Sequence, residues 1–261
     1  MHMIDQDYFS LAGKKGLILG IANEHSIAYG CARAFKALGA DLAVTYLNEK
    51  ARPFVEPCAQ AVEAGLFLPC DVTQEGQLEA VFETIRERWG RLDFAVHSIA
   101  FAPREDLQGR LVDSSAHGFG VAVDVSAHSF LRMSRLAEPL MTDGGSLFAM
   151  TFFGSERVVK TYNLMGPVKA ALEAAVRYTA DELGPKNIRA FAVSPGPLAT
   201  RAASGLKDFD ELMDEARTKS PLGRLATIDD VGAVTAMLAT RTGVMLTGQT
   251  IYVDGGYHIK G

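Results

Sequence analysis

Two residues of this sequence have the types and spacing for acid catalysis: Tyr162 and Lys169. They fall in a stretch with helical periodicity over 162–183, where seven residues turn the chain by about 700° and bring both side chains to one face. A phenol beside an ammonium makes a general acid or oxyanion stabiliser, because the cation favours negative charge on oxygen. A surface helix carrying one Tyr and one Lys by chance gives the same pattern, so the pair needs support from its surroundings.

That support comes from the loops that close short apolar runs. The first is Gly20-Ile21-Ala22-Asn23-Glu24-His25-Ser26-Ile27-Ala28-Tyr29-Gly30. Gly20 lets backbone approach a pyrophosphate, and a helix beginning near Ser26 offers free N–H groups and a positive dipole end. Ser26 can cap that helix or donate its hydroxyl to phosphate. The spacing is not GxGxxG: the second glycine is missing and the loop is longer. Cys70-Asp71-Val72 closes a third strand, where Asp71 can accept from an adenine amino group or serve as a turn or N-cap residue. Ser98-Ile99-Ala100-Phe101 offers small residues to lie along a cofactor, or a close-packed strand end. Pro195-Gly196-Pro197 offers a surface for a nicotinamide. Four such ends together point to a dinucleotide.

The elements that must position these loops alternate. Candidate strands are Gly16–Gly20, Asp41–Tyr46, Leu66–Pro69, Leu92–Ser98, Ser146–Met150, Ile188–Ser194 and Gln249–Val253, with helical patterns at 27–39, 51–64, 75–89, 115–141, 162–183, 208–218 and 228–239. Strands interleaved with helices predict an α/β fold of Rossmann type: a three-layer sandwich around a doubly wound, mostly parallel seven-stranded sheet. Ligands of such sheets bind outside the strands' carboxyl ends. One domain over 1–261 is expected, with a substrate-covering lid at about 196–218.

Composition narrows the function. The 261 residues are 48% hydrophobic and carry a net charge of -5, without the basic footprint of a nucleic-acid binder. Arg132 and Arg135 read as a solvated helix face that could also meet an acidic carrier or a phosphate. Cys31, Cys58 and Cys70 show no paired spacing, and with no secretory leader the chain is expected in the cytoplasm. No apolar run approaches the ~20 residues of a membrane span. No HxxxH or HExxH spacing suggests a metal, no GxSxG suggests hydrolysis, and Asp229-Asp230 after Thr227 read as helix-start residues.

The chain resembles the short-chain dehydrogenase/reductase superfamily and, within it, the NADH-type enoyl-acyl-carrier-protein reductases of bacterial fatty-acid synthesis. The resemblance is carried by Ser26-Ile27-Ala28-Tyr29-Gly30, Cys70-Asp71-Val72, His97 to Ala102, and Gly154-x-Glu156-Arg157. Further along it is carried by Tyr162-Asn163-x-Met165-Gly166-x-x-Lys169, Ala202-Ala203-Ser204-Gly205 and Val253-Asp254-Gly255-Gly256. The seven-residue Tyr-to-Lys spacing is the discriminating feature, since most of the superfamily uses four.

The resemblance implies reduction of trans-2-enoyl thioesters on acyl-carrier protein by hydride from NADH, with NADPH as the alternative, in a homotetramer. It implies Tyr162 and Lys169 as catalytic residues. It implies Gly20, Ser26, Ile27, Asp71, Val72, Ser98, Ile99, Lys169, Leu198 and Thr200 around the cofactor, and Phe101, Phe152, Met165 and Ala202 around the substrate. Apolar, neutral and acidic residues follow the second strand, which favours NADH, although Lys50 and Arg52 are close enough to reach back. One position departs from the pattern: Phe152 stands where these enzymes carry a second tyrosine, with Thr151 the neighbouring source of a hydroxyl. That departure keeps open a carbonyl or enoyl oxidoreductase of the same superfamily acting on a different acceptor. A further alternative is an inactive nucleotide-binding regulator, against which the presence of both Tyr162 and Lys169 argues.

Overall fold

The computed structural model describes residues 6–160, 162–200 and 209–260. In chain order the elements are β1 (Lys15–Leu19), α1 (Ile27–Ala37), β2 (Asp41–Tyr46), α2 (Arg52–Ala61), β3 (Leu66–Pro69), α3 (Gln77–Trp89), β4 (Phe94–His97) and α4 (Arg104–Gln108). There follow α5 (Ala116–Val123), α6 (Ser129–Ala137), β5 (Gly145–Met150), α7 (Met165–Leu183), β6 (Ile188–Pro195), α8 (Phe209–Lys219), α9 (Ile228–Ala239) and β7 (Gln249–Val253).

The seven strands form one sheet in the order β3-β2-β1-β4-β5-β6-β7, and every pairing is parallel. Strands buried on both faces read as continuous apolar runs, as β1, β4 and β5 do. One face carries an aromatic core in which Phe35 of α1 stacks on Phe94 of β4 with centroids 4.0 Å apart, and Phe148 stacks on Phe191 at 5.3 Å. The other face packs α3, α6 and α7 on the sheet through Phe82, Phe130, Leu172 and Val176. On the first face α1 and α9 touch backbone to backbone: a Cβ on Gly30 would strike the Ile228 carbonyl, and one on Gly232 would strike that of Gly30.

Strand order reverses between β1 and β4, so the crevice at their carboxyl ends is where this fold receives ligands. The long helical pattern at 115–141 resolves into α5 and α6, joined by a π-helical turn at Asp124–His128. Thr227 caps α9 in a reciprocal box: its hydroxyl accepts from Asp230 N at 3.2 Å, and Asp230 accepts from Thr227 N at 2.8 Å. Asp229 pairs with Arg33 across the α1–α9 contact.

Candidate functional site

Gly20 sits at the switch point with φ +104°, and a Cβ there would collide with the Ser98 carbonyl. Only glycine lets the ends of β1 and β4 close on each other in this way. Beyond it the loop folds around Ser26, whose Oγ accepts from Ala22 N at 3.0 Å and Asn23 N at 3.1 Å. Ser26 occupies the N-cap position of α1 yet makes no cap bond, so its oxygen shapes the loop rather than the helix start. The first N–H groups of α1 are left without a side-chain cap, the arrangement that receives an anion.

Asp71 holds its own turn, its Oδ1 accepting from Thr73 N at 2.9 Å and Thr73 Oγ1 at 2.7 Å, which leaves Oδ2 for a ligand. Val72 is buried against the α3–α6 side of the core, where Ile99 also packs. The carbonyl of Val72 accepts from Arg132 at 2.9 Å. Arg132 is therefore a tie between α6 and this loop rather than a solvated residue, whereas Arg135 stays exposed beside Glu79. Phe101 is exposed at the rim, its backbone clamped by Ser126 in the π-helical turn: Phe101 N donates to Oγ at 2.9 Å and Oγ donates to Phe101 O at 3.1 Å. Leu198 and Ile27 each pack against the α1 side of the core. Thr200 N donates to Leu198 O at 2.8 Å. Ala202 lies outside the described residues, as do positions 201–208 of the expected lid; its described part contains α8.

Tyr162 and Lys169 do not share one helix. Helix α7 begins at Met165, and Tyr162 stands in the turn before it. Asn163 has φ 41°, a left-handed conformation that Asn tolerates, and its side chain donates to Leu107 O at 3.1 Å. This tethered turn, not helical pitch, sets the phenol. Lys169 lies within α7, buried, and its Nζ donates to the Met150 carbonyl at 2.7 Å. The Tyr162 ring meets that of Phe152 with centroids 4.8 Å apart at 60°. Both side chains thus converge on the carboxyl end of β5. Met165 packs with Leu164 and Val168, with Tyr162, Ala102 and Leu107 against them.

Burial raises the Tyr162 phenol above its ordinary value, and the Glu173 charge pushes the same way, so the hydroxyl keeps its proton and donates. Burial also pulls Lys169 down to about 8, while Glu173 pulls it upward. Glu173 is a residue that the motifs did not single out. It is buried, and its Oε1 accepts from Thr151 Oγ1 and Ser155 Oγ, each at 2.6 Å. The hydroxyl of Thr151 is therefore turned under α7, and it does not replace the missing second phenol. His97, also missed, is fully buried against Ser129 at 2.6 Å. Four-residue spacing on an apolar helix face was the available signal for Glu173; for His97 there was none beyond its place at a strand end. Among the described residues no cluster of acidic, His and Cys side chains could hold a metal, and no helix is long and apolar enough to cross a membrane.

A parallel sheet with its switch point beside a glycine-closed loop, and a half-buried Tyr162 with a buried Lys169 at the next strand end, defines a nicotinamide-dependent oxidoreductase of the Rossmann type. The family model for enoyl-(acyl carrier protein) reductases matches residues 20–258. The enoyl-[acyl-carrier-protein] reductase [NADH] FabI of Nostoc sp. is 44% identical over 255 residues, covering 97% of this chain and 99% of the relative. The FabI of Bacillus cereus is 43% identical over 96% of this chain and 99% of its own. Among solved structures, the enzyme of Anaplasma phagocytophilum in complex with NAD superposes with a TM-score of 0.92 at 43% identity, covering 96% of each chain. The Bacillus cereus reductase with NADP+ and an indole naphthyridinone gives a TM-score of 0.94 at 43% identity, over 96% of this chain and 98% of that one. The chain belongs to the enoyl-acyl-carrier-protein reductase family.

Proposed function

We propose that the chain reduces trans-2-enoyl thioesters carried on acyl-carrier protein, in fatty-acid synthesis, with NADH as hydride donor. The observation that carries this reading is the convergence of a protonated, half-buried Tyr162 and a buried Lys169 on the end of β5, one strand from the switch point. The full-length likeness to enzymes of that activity supports it.

The crevice fits a dinucleotide. Gly20 admits backbone where any Cβ would clash, the N-terminus of α1 faces the pyrophosphate position, and Asp71 keeps one carboxylate oxygen available. Ser26, Ile27, Val72, Ser98, Ile99, Leu198 and Thr200 complete the cofactor's surroundings in this reading. At the end of β2 the Glu49 carboxylate accepts from the Tyr46 hydroxyl at 3.1 Å, while Arg52 is shared between Glu49 and Glu56 at 3.6 and 3.8 Å. An anchored carboxylate suits a free ribose hydroxyl and repels a 2′-phosphate, which supports NADH.

Bound NADH would supply the hydride that reaches the β-carbon of the enoyl group. Tyr162 would donate to the thioester oxygen as negative charge develops there, and Lys169 would hold the ribose side of the site and add positive potential. Phe101, Phe152, Met165 and Ala202 would line the acyl chain, covered by a lid over about 196–218 in a single domain. The assembly is proposed as a cytoplasmic homotetramer. The test is substrate competition: the chain is expected to oxidise NADH with a trans-2-enoyl thioester and to form the saturated thioester. Turnover with 3-keto thioesters or simple ketones and none with the enoyl compound would overturn the reading.

A further inference from the structure

Helix α7 presents Leu172, Val176 and Ala180 to the sheet, yet Glu173 on this helix is 4% exposed. A buried carboxylate is costly unless hydrogen bonds and a counter-charge compensate it. Both are present. Thr151 and Ser155, on the segment that leaves β5, each donate a hydroxyl hydrogen to the same Oε1 at 2.6 Å. Both lone pairs of that oxygen are thereby engaged, which fixes the position of the carboxyl group against the end of β5. Lys169 lies four residues earlier, on the same side of α7, and is itself 5% exposed with one hydrogen bond, to the Met150 carbonyl.

Resting on the dinucleotide reading of the site, we propose that Glu173 is a positioning residue, its carboxylate pinned by Thr151 and Ser155 to the end of β5 so that it keeps the buried Lys169 charged. The same two contacts tie the 151–155 segment, which carries Phe152, to the helix that carries Lys169. Cofactor positioning and substrate wall are thereby set by one cluster.

The other titratable groups around the pair leave Lys169 as the one that titrates near neutrality. His97 from β4 is driven by burial down to about 3 and stays neutral. Tyr162, from the turn before α7, is raised by burial and by Glu173. Tyr252 from β7, with Glu156 hydrogen-bonded to it and Asp254 beyond, is raised by burial and by those carboxylates. Arg132 of α6, bonded to the Val72 carbonyl, adds a small further push that lowers His97. Lys169 is lowered by burial to about 8, with Glu173 opposing the fall. Charge on Lys169 is therefore present below that value and lost as pH rises through it.

The test reads NADH affinity against pH by fluorescence, without substrate, so that it stands whether or not the enoyl reaction is the right one. The parent is expected to lose affinity on an alkaline limb with its midpoint near 8, and Lys169→Arg to lose that limb. In Glu173→Gln, which keeps both hydroxyl contacts, the midpoint falls by about one pH unit, and binding at pH 8 is about fivefold weaker. Should Glu173→Gln not fold, the apolar replacement of the whole cluster, Thr151→Val with Ser155→Ala and Glu173→Leu, leaves no hydroxyl unpaired and is expected to show the same shift. A limb unchanged in midpoint, with affinity lowered equally at every pH, would make Glu173 purely structural and overturn the proposal. A parent that bound no NADH would overturn both this and the cofactor reading; one that bound NADH but reduced no enoyl thioester would retire only the reaction.

Discussion

The ring of Phe152 stands edge-on to that of Tyr162, with centroids 4.8 Å apart, and touches Phe153 at 5.1 Å on its other side. Phe153 in turn meets Tyr257 at 5.0 Å, so the phenol proposed to donate to substrate is backed by a row of aromatic rings running to the chain's last turn. An edge-to-face pair contributes about 0.5–1.5 kcal/mol beyond its buried area. Phe152→Ala is expected to lower kcat/KM for the enoyl thioester about three- to tenfold while NADH affinity stays within twofold. Steady-state kinetics with NADH titration check this. An equal loss in both parameters would place Phe152 in general packing instead of behind the phenol.

Cofactor choice is set at the end of β2 in this reading. Tyr46 fixes Glu49, and the cation nearest to hand, Arg52, is already shared between two carboxylates while packing 5.7 Å over the Tyr46 ring. Removing the Glu49 charge takes away repulsion of a 2′-phosphate and releases Arg52, a change of at most about 1 kcal/mol at this largely exposed site. Glu49→Gln is expected to raise the ratio of NADPH to NADH kcat/KM about fivefold. An unchanged ratio would locate the selectivity elsewhere.

Acid stability turns on His97. Ser129 spends its hydroxyl hydrogen on the Val125 carbonyl at 2.6 Å, so His97 Nε2 must carry the proton it shares with Ser129 Oγ. Nδ1 is buried without a partner among the described residues. The folded chain holds this imidazole neutral down to about 3, whereas the unfolded chain protonates it near 6.5. Stability from this group is therefore complete above about 6.5 and is lost as pH falls from there toward 3. Between pH 6.5 and 4.5 the parent is expected to lose about 2–3 kcal/mol by urea titration, and His97→Leu to lose less than about 1 kcal/mol. Parallel slopes in the two proteins would assign the acid sensitivity to other groups.

The sheet was legible because parallel strands buried on both faces leave unbroken apolar runs: β2, β3 and β7 fall where the pattern puts them, and the others move only at their ends. The loops that close β1, β3 and β4 were also legible, since Gly20, Asp71 and Ser98 announce themselves by type. What failed was continuity inside helical patterns. Asn163 breaks the stretch between Tyr162 and Lys169 by adopting φ 41°, and Asp124–His128 widens into a π turn between α5 and α6. Both depend on tertiary partners, Leu107 O for Asn163 and the Phe101 backbone for Ser126, which periodicity does not encode. Only the capping alternative for Ser26 failed, for a similar reason: its oxygen accepts from the loop it closes. Glu173 stayed hidden because a Glu in a helix is ordinary until its burial is known.

The central claim is that the Tyr162 hydroxyl stabilises charge on the substrate oxygen, and Tyr162→Phe tests it most directly. The measurement is NADH oxidation at 340 nm with crotonyl-coenzyme A or a longer trans-2-enoyl thioester, alongside NADH affinity in the same variant. Loss of about 10²–10³-fold in kcat with NADH affinity unchanged is the predicted result, the cost of one oxyanion donor. A variant within threefold of the parent would contradict it.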